Sequence, residues 1–274
     1  MHCKLCACRS QVLPTMYKSL GLIILAVVAC LYAIPIKNVN EHIVSGTESQ
    51  YCEFPHMVFL NVSLVDGGGI CGGTLISDKH VLTAAHCVPE GVAAITAHIG
   101  STNKKTAVVR TPVKKWVKHR DYIRKQGTVD NDIAVLELTT PVPISACIKP
   151  VDLPNKGDKF HKRCITAGWG KTGKHGIFPN QMRRTNIDII PNDKCQSYSP
   201  GTTVEQHICV GALLRNGTNI CYGDSGGGLL CTTTVDYKYV VAGVASYGYD
   251  CDEGFAVFTN TANYRDFIDE NITE

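Results

Sequence analysis

From residue 56 onward, short apolar runs alternate with Gly, Pro, Asn and Asp breaks, the spacing of an all-β chain. A first series of predicted strands lies at 56–65 (HMVFLNVSLV), 73–85 (GTLISDKHVLTAA), 93–100 (AAITAHIG), 106–117 (TAVVRTPVKKWV) and 132–138 (DIAVLEL). A second lies at 163–170 (RCITAGWG), 181–190 (QMRRTNIDII), 227–234 (GGLLCTTT), 237–248 (YKYVVAGVASYG) and 254–260 (GFAVFTN). The Pro-rich stretch 139–157 between them is the natural boundary of two β units. A helical period appears only at 263–272, where Tyr264, Phe267, Ile268 and Ile272 share one stripe.

The chain opens differently. Leu20 to Ala33 is an apolar run with Lys18 before it and a small residue at its end. It falls short of the ~20 residues a helix needs to cross a bilayer. Residues 1–33 therefore read as a signal peptide, with Met16 a natural start inside it, and a membrane anchor is the lesser alternative.

Composition narrows the class. Hydrophobic residues are 44% and charged residues 19% of the 274, which excludes a disordered chain. A net charge of +3 is too small to suggest nucleic-acid binding. Of 14 cysteines, Cys3, Cys6, Cys8 and Cys30 lie at or before the apolar run. The other ten are spread over the globular part without the close pairs of a zinc site. That predicts disulfides and an oxidising compartment. Asn61, Asn216 and Asn271 begin N-x-S/T glycosylation triplets. Segment 104–125 holds Lys104, Lys105, Arg110, Lys114, Lys115, Lys118, Arg120, Arg124 and Lys125 with Asp121 as its one acid. Solvated strand faces explain it first, and a surface for an anionic partner second.

Three motifs carry chemistry: Thr83-Ala84-Ala85-His86-Cys87, Asp130-Asn131-Asp132-Ile133-Ala134-Val135-Leu136, and Gly223-Asp224-Ser225-Gly226-Gly227. Amide hydrolysis needs a nucleophile, a base to activate it and a group to orient the base. A serine hydroxyl can pass its proton to an imidazole, and a buried carboxylate holds that imidazole in the right tautomer. Ser225, His86 and Asp132 supply these three types in turn, and along the chain they stand in the order His, Asp, Ser.

These blocks resemble the catalytic blocks of the chymotrypsin-like serine peptidases. IVSG (43–46), CGGTLIS (71–77), AGWG (167–170) and ASYG (245–248) resemble further blocks in the family's order, so the resemblance covers about 43–269. It implies an all-β fold of two six-stranded antiparallel Greek-key barrels with a short C-terminal helix. The boundaries are then 34–42 for an activation propeptide, 43–150 for the N-terminal barrel, and 151–274 for the C-terminal barrel and helix. It implies a secreted endopeptidase working through an acyl-enzyme, with an oxyanion hole of Gly223 and Ser225 N–H groups. Ser246 resembles the family serine that bonds the triad aspartate, and Ser246, Tyr247 and Gly248 would pair with substrate backbone.

The resemblance also implies a zymogen in which cleavage after His42 frees the Ile43 amine to pair with Asp224. His42 is not Lys or Arg, so the activating protease is unidentified. The primary pocket would be floored by Asn219 and faced by Ala256 or Gly254. An uncharged floor predicts an apolar or aromatic P1 residue rather than trypsin-like Arg or Lys. Four disulfides are implied: Cys71–Cys87, Cys164–Cys231, Cys195–Cys209 and Cys221–Cys251, which leaves Cys52 and Cys147 to pair. Tyr247 replaces the family's usual Trp, Gly228 its Pro and IVSG its commoner IVGG, none of them a catalytic atom. No cofactor, metal, nucleic acid or membrane span of the mature chain is expected. The expected partners of this monomer are protein or peptide substrates, the activating protease and protein inhibitors. A non-catalytic homologue acting as a binding protein, or a structural secreted β-protein, are the competing readings.

Overall fold

The computed structural model describes residues 46–125, 128–211, 219–248, 251 and 254–273. The signal segment, the propeptide, Ile43 and Asn216 lie outside these. The described residues all belong to one compact unit, 41–274.

The first series of strands closes on itself. β1 is the short pair Thr47–Glu48; β2 is Met57–Leu64, β3 Gly67–Leu75, β4 His80–Thr83, β5 Val92–Ile99 and β6 Val109–Lys118. A small hairpin, β7 (Ile123–Lys125) and β8 (Thr128–Asp130), precedes β9 (Ala134–Leu138). The closed barrel runs β2-β3-β4-β9-β6-β5. After β4 the chain crosses to the far edge of β2 for β5, then returns through β6 to β9, which is a Greek-key path. Alternation drives it: along β6, Thr111 and Val113 face in while Arg110, Pro112 and Lys114 face water. Leu60, Leu75, Leu82, Ile95, Ile99, Leu136 and Leu138 are fully buried inside.

The second series comprises β10 (Arg163–Gly168), β11 (Arg183–Asp188), β12 (His207–Gly211), β13 (Gly228–Thr232), β14 (Tyr239–Gly248) and β15 (Phe255–Asn260). Helix α1, Asn192–Tyr198, joins β11 to β12. The order is β11-β10-β13-β14-β15-β12, with β1 laid outside β11. A bridge between Ile189 and Val210, with Ile190 N–H donating to the Cys209 carbonyl at 2.9 Å, brings the ends of this sheet together. Phe258, Leu229, Val210 and Ala242 fill it. The fold is therefore two antiparallel six-stranded β-barrels.

The barrels share apolar surface. The first core continues into Trp169, Met182, Leu230, Val241 and Val244 of the second half. The Trp169 indole N–H donates to the Thr102 carbonyl at 2.8 Å, and its ring meets Phe59 edge-on at 5.7 Å. A short 3-10 turn, Thr261–Tyr264, leads into α2, Arg265–Glu270. Tyr264 and Ile268 are buried in the first core, with Phe267 and Ile272 packed against it. The C-terminal helix thus returns to the N-terminal barrel. Among the described residues no helix is long and apolar enough to cross a membrane.

Several local outcomes differ from the periodic pattern. The run 73–85 is two strands, because the Ser77 hydroxyl accepts the Lys79 and His80 N–H groups and turns the chain between them. The Gly-rich 67–72, which the pattern leaves as a turn, is the first half of β3. β12 and α1 have no clear signal in the sequence pattern. Five disulfides join Cys52–Cys147, Cys71–Cys87, Cys164–Cys231, Cys195–Cys209 and Cys221–Cys251.

Replacing Trp169 by Ala removes a large ring from the shared surface and one of two donors from the Thr102 carbonyl, which keeps the Met182 N–H. We expect a loss of about 3–5 kcal/mol of unfolding free energy in guanidinium titration. A loss under ~1 kcal/mol would mean that the surface can collapse around the gap.

Candidate active site

The chemistry-bearing residues lie on loops between the barrels. His86 sits in the 3-10 turn Ala85–Cys87 directly after β4. Asp132 precedes β9 and is 1% exposed. The two are bonded twice: His86 Nδ1 lies 2.7 Å from Asp132 Oδ2, and the His86 backbone N–H donates to Oδ1 at 2.9 Å. An acceptor on that side requires Nδ1 to carry a proton and frees Nε2 as a base.

The second barrel holds the same carboxylate. The Ser246 hydroxyl donates to Asp132 Oδ2 at 2.5 Å, and the Thr259 hydroxyl donates to the Asp132 carbonyl at 2.8 Å. Ser246 reaches it because β14 slips its register on β15 between Ala245 and Tyr247. The extra residue of a bulge is free to turn its side chain out of alternation. Burial works to raise the Asp132 pKa, but the bonds and charge of His86 and the Ser246 hydroxyl outweigh it and hold the carboxyl below its usual range.

Further groups brace the loop carrying Asp132. Asn131 stands at φ 54°. Its N–H donates to Gln206 Oε1 at 3.0 Å, its Oδ1 accepts from Tyr264 Oη at 2.9 Å, and its Nδ2 donates to the Asp121 carbonyl at 2.9 Å. His207 Nε2 lies 3.0 Å from the Val129 carbonyl. Sequence reasoning missed Gln206, His207 and Tyr264 in this setting. Asn131 stood in a quoted motif without a role.

Ser225 is half-buried on the loop before β13. Its carbonyl accepts the Gly72 N–H of β3 at 2.7 Å, and Cys87 Sγ touches that oxygen at 3.5 Å. The disulfide sulfur has no proton, so the latter is a contact. A Cβ on Gly72 would come within 2.9 Å of Gly227 Cα, so only glycine lets the first barrel approach the serine loop this closely. Ser225 is thereby set against the turn that carries His86.

Gly223 has φ +95°, a conformation open to glycine. Among the described residues, the Asp224 N–H is bonded to the Cys221 carbonyl, while the Gly223 and Ser225 N–H groups have no partner. Asp224 is buried, and accepts from the Gly170 and Cys221 N–H groups at 2.8 and 3.0 Å. Burial raises its pKa to about 6 against those two bonds. No cation faces it among the described residues.

Asn219 is buried, and its Oδ1 accepts the Ile220 N–H at 2.9 Å. In the β14–β15 register Ala256 lies opposite Gly248, and Gly254 stands just before β15. Gly248 is exposed, and Tyr247 is half-buried with its hydroxyl 3.3 Å from Ser199 Oγ. Asn61 is exposed on β2, whereas Asn271 donates its Nδ2 to the Phe267 carbonyl at 2.7 Å. One group of potential metal donors occurs among the described residues, Cys71, His86 and Cys87. Both sulfurs are spent in their mutual disulfide, so the set does not suit an ion.

The family comparison agrees with this geometry. A match to the trypsin family spans residues 43–268. The chain is 31% identical to serine protease 1 of Rattus norvegicus over 258 residues, 92% of this chain and 98% of that protein. It is 33% identical to trypsin II-P29 of Gallus gallus over 257 residues, 91% and 97% of the two chains. It is 30% identical to the anionic trypsin of Bos taurus over 254 residues, 92% and 97%. The chain belongs to the trypsin family of serine endopeptidases.

Ser246→Ala removes one donor from a buried carboxylate, a deficit of about 1.5–3 kcal/mol for a bond to a charged group. The lowered Asp132 pKa contributes stability above the ordinary carboxylate range and loses it as pH falls through the folded value. The variant's deficit, read by urea unfolding, should be full at neutral pH and shrink in acid. A deficit equal at both ends would trace to packing instead.

Proposed function

We propose that this chain is a secreted zymogen whose processed form hydrolyses peptide bonds with Ser225 as nucleophile, His86 as base and Asp132 as the group that orients His86. The observation that carries the reading is the buried carboxylate of Asp132, bonded at once to His86 and to Ser246. His86 Nε2 takes the Ser225 proton as Oγ attacks the scissile carbonyl, then passes it to the leaving amine. The imidazolium formed in between rests on the Asp132 charge. The oxyanion of the tetrahedral intermediate takes the Gly223 and Ser225 N–H groups. Water then repeats the sequence on the acyl-enzyme. Five disulfides suit an extracellular setting, and Asn61 is the exposed glycan acceptor among the described residues.

For substrate preference, the relatives' name trypsin points to basic P1 residues, and the pocket points elsewhere. A buried amide at 219 offers no charge to a guanidinium or ammonium. Desolvating such a cation without a counter-charge is costly. Ala256 beside Gly248 leaves room for an apolar side chain, so the processed enzyme prefers large uncharged P1 residues. A peptidyl phosphonate with Phe at P1 should label processed protein and not Ser225→Ala. The matching Arg phosphonate should label at least ~10-fold more slowly, as a charge left unpaired in a buried site predicts. No labelling by either removes the catalytic reading, and faster labelling by the Arg reagent removes only the pocket assignment.

Activation rests on Asp224. A carboxyl with a raised pKa keeps its stabilising proton in acid and loses it as pH rises through about 6. An Ile43 ammonium released by cleavage after His42 would meet the resulting charge. The Tm advantage of cleaved over uncleaved chain should therefore be smaller near pH 4 than near pH 7, and be lost as the paired α-amine deprotonates above its ordinary value of ~8. An advantage that does not change with pH would overturn the pairing.

A further inference from the structure

A hollow of about 490 Å³ opens beside the His86 ring. One wall is Val88 and Pro89, with Glu90 at the rim; the other is Lys118, Arg120, Tyr122 and Arg124. Lys118 and Arg124 have no acidic partner among the described residues. Arg120 meets only Asp121, at 3.4 Å, with both side chains largely exposed. Such a pair contributes little in water, so Arg120 remains available. Arg124 and Tyr122 line the same hollow, so a cation and an aromatic ring border one cavity.

The charge continues away from the hollow. Lys125 extends it along the β7–β8 hairpin, and Lys114 and Arg110 extend it along β6. β6 has ten residues and so spans roughly 33 Å. Glu137 offsets part of the field, held between Lys79 at 2.6 Å and Lys114 at 3.0 Å. Among the described residues the acids at the hollow are Glu90 and Asp121, with the Asp132 carboxylate behind His86 and bonded to it. A cleft wall of one sign raises the local concentration and association rate of oppositely charged ligands.

We propose that this hollow is a subsite for acidic side chains of the polypeptide substrate, with Lys118, Arg120 and Arg124 as its specificity-determining cations. The occupant is a peptide because the hollow opens on His86, against which the scissile segment must lie. Its lining is also mixed: Val88, Pro89 and Tyr122 offer apolar contact to a peptide. A sulfated polymer would gain little from those surfaces or from Glu90. The occupant's identity rests on the peptidase reading above; the binding itself does not require turnover.

The test uses processed Ser225→Ala protein and labelled peptides of identical sequence except for four Glu or four Gln residues flanking the scissile position. Fluorescence anisotropy should show the Glu peptide binding about tenfold more tightly at about 50 mM NaCl. The difference should close at about 300 mM, where the charges are screened within several ångströms. It should vanish in Lys118→Gln/Arg120→Gln/Arg124→Gln while affinity for the Gln peptide holds. If the triple variant does not fold, the exposed Arg124→Gln alone should cut the difference about threefold, near 0.65 kcal/mol. Equal binding of the two peptides, or a difference that survives the triple variant, overturns the proposal. So does a sulfated oligosaccharide that binds these cations when the Glu peptide does not. With Ser225 intact, cleavage of both peptides at equal kcat/KM leaves the peptidase standing and the subsite refuted. A Glu-peptide binding preference with no cleavage leaves the subsite standing and refutes the peptidase.

Discussion

The site depends on a single buried carboxylate satisfied from both barrels. Asp132 is charged, and a buried charge without partners is expensive. The first barrel supplies two donors through His86, and the second supplies Ser246 to the side chain and Thr259 to the main chain. Neither barrel could hold the carboxylate alone. Separation of the barrels would strand it, so electrostatics and inter-barrel packing stabilise the same arrangement. The extra bonds on Asn131 and Val129 act on the same loop, from Gln206, Tyr264 and His207 of the second half.

The serine loop is fixed by shape rather than charge. Gly72 of β3 donates to the Ser225 carbonyl, and a Cβ there would strike Gly227. The disulfide between Cys71 and Cys87 ties that same strand to the turn carrying His86. The His86 turn and the Ser225 loop are therefore braced through one short length of backbone. This accounts for Gly72 within the Gly-rich first half of β3, and Gly68 meets the Val62 carbonyl of β2, while Gly67 and Gly69 face open space. Its glycines are poor strand formers by propensity, but the register with β2 and the close approach of the serine loop outweigh propensity.

Short apolar runs between turn residues made most strands of both halves legible, including the fully buried β4 and β15. A helical stripe marked the terminal helix, and the barrels followed from the family resemblance. The ordered motifs around His86, Asp132 and Ser225 drew attention to the junction. The pattern did not reach further where structure is set by partners distant in sequence. β12 is buried at all five positions, so it shows no alternation to read. The short α1 has only Cys195 buried, so it lacks a stripe. The bulge at Ser246 cannot be read from composition, since it arises from pairing with β15. The pairing of Ala256 with Gly248 likewise waits on that register. Gln206 has no local signature at all, because its bond to Asn131 spans 75 residues.

Two buried aspartates lie near the junction in opposite conditions. Asp132 is given charged and hydroxyl donors, and its pKa falls. Asp224 is given two backbone N–H groups, which do not outweigh its burial, and its pKa rises to about 6. The first is stable as a permanent anion, suited to supporting a cation that appears and disappears on His86. The second is an anion still short of compensation near neutral pH. A cation brought to a buried carboxylate gains most where compensation is missing, and of the two aspartates that is Asp224. It neighbours Gly223 and Ser225, whose N–H groups have no partner among the described residues. A change of charge at Asp224 would therefore be felt first at those two N–H groups.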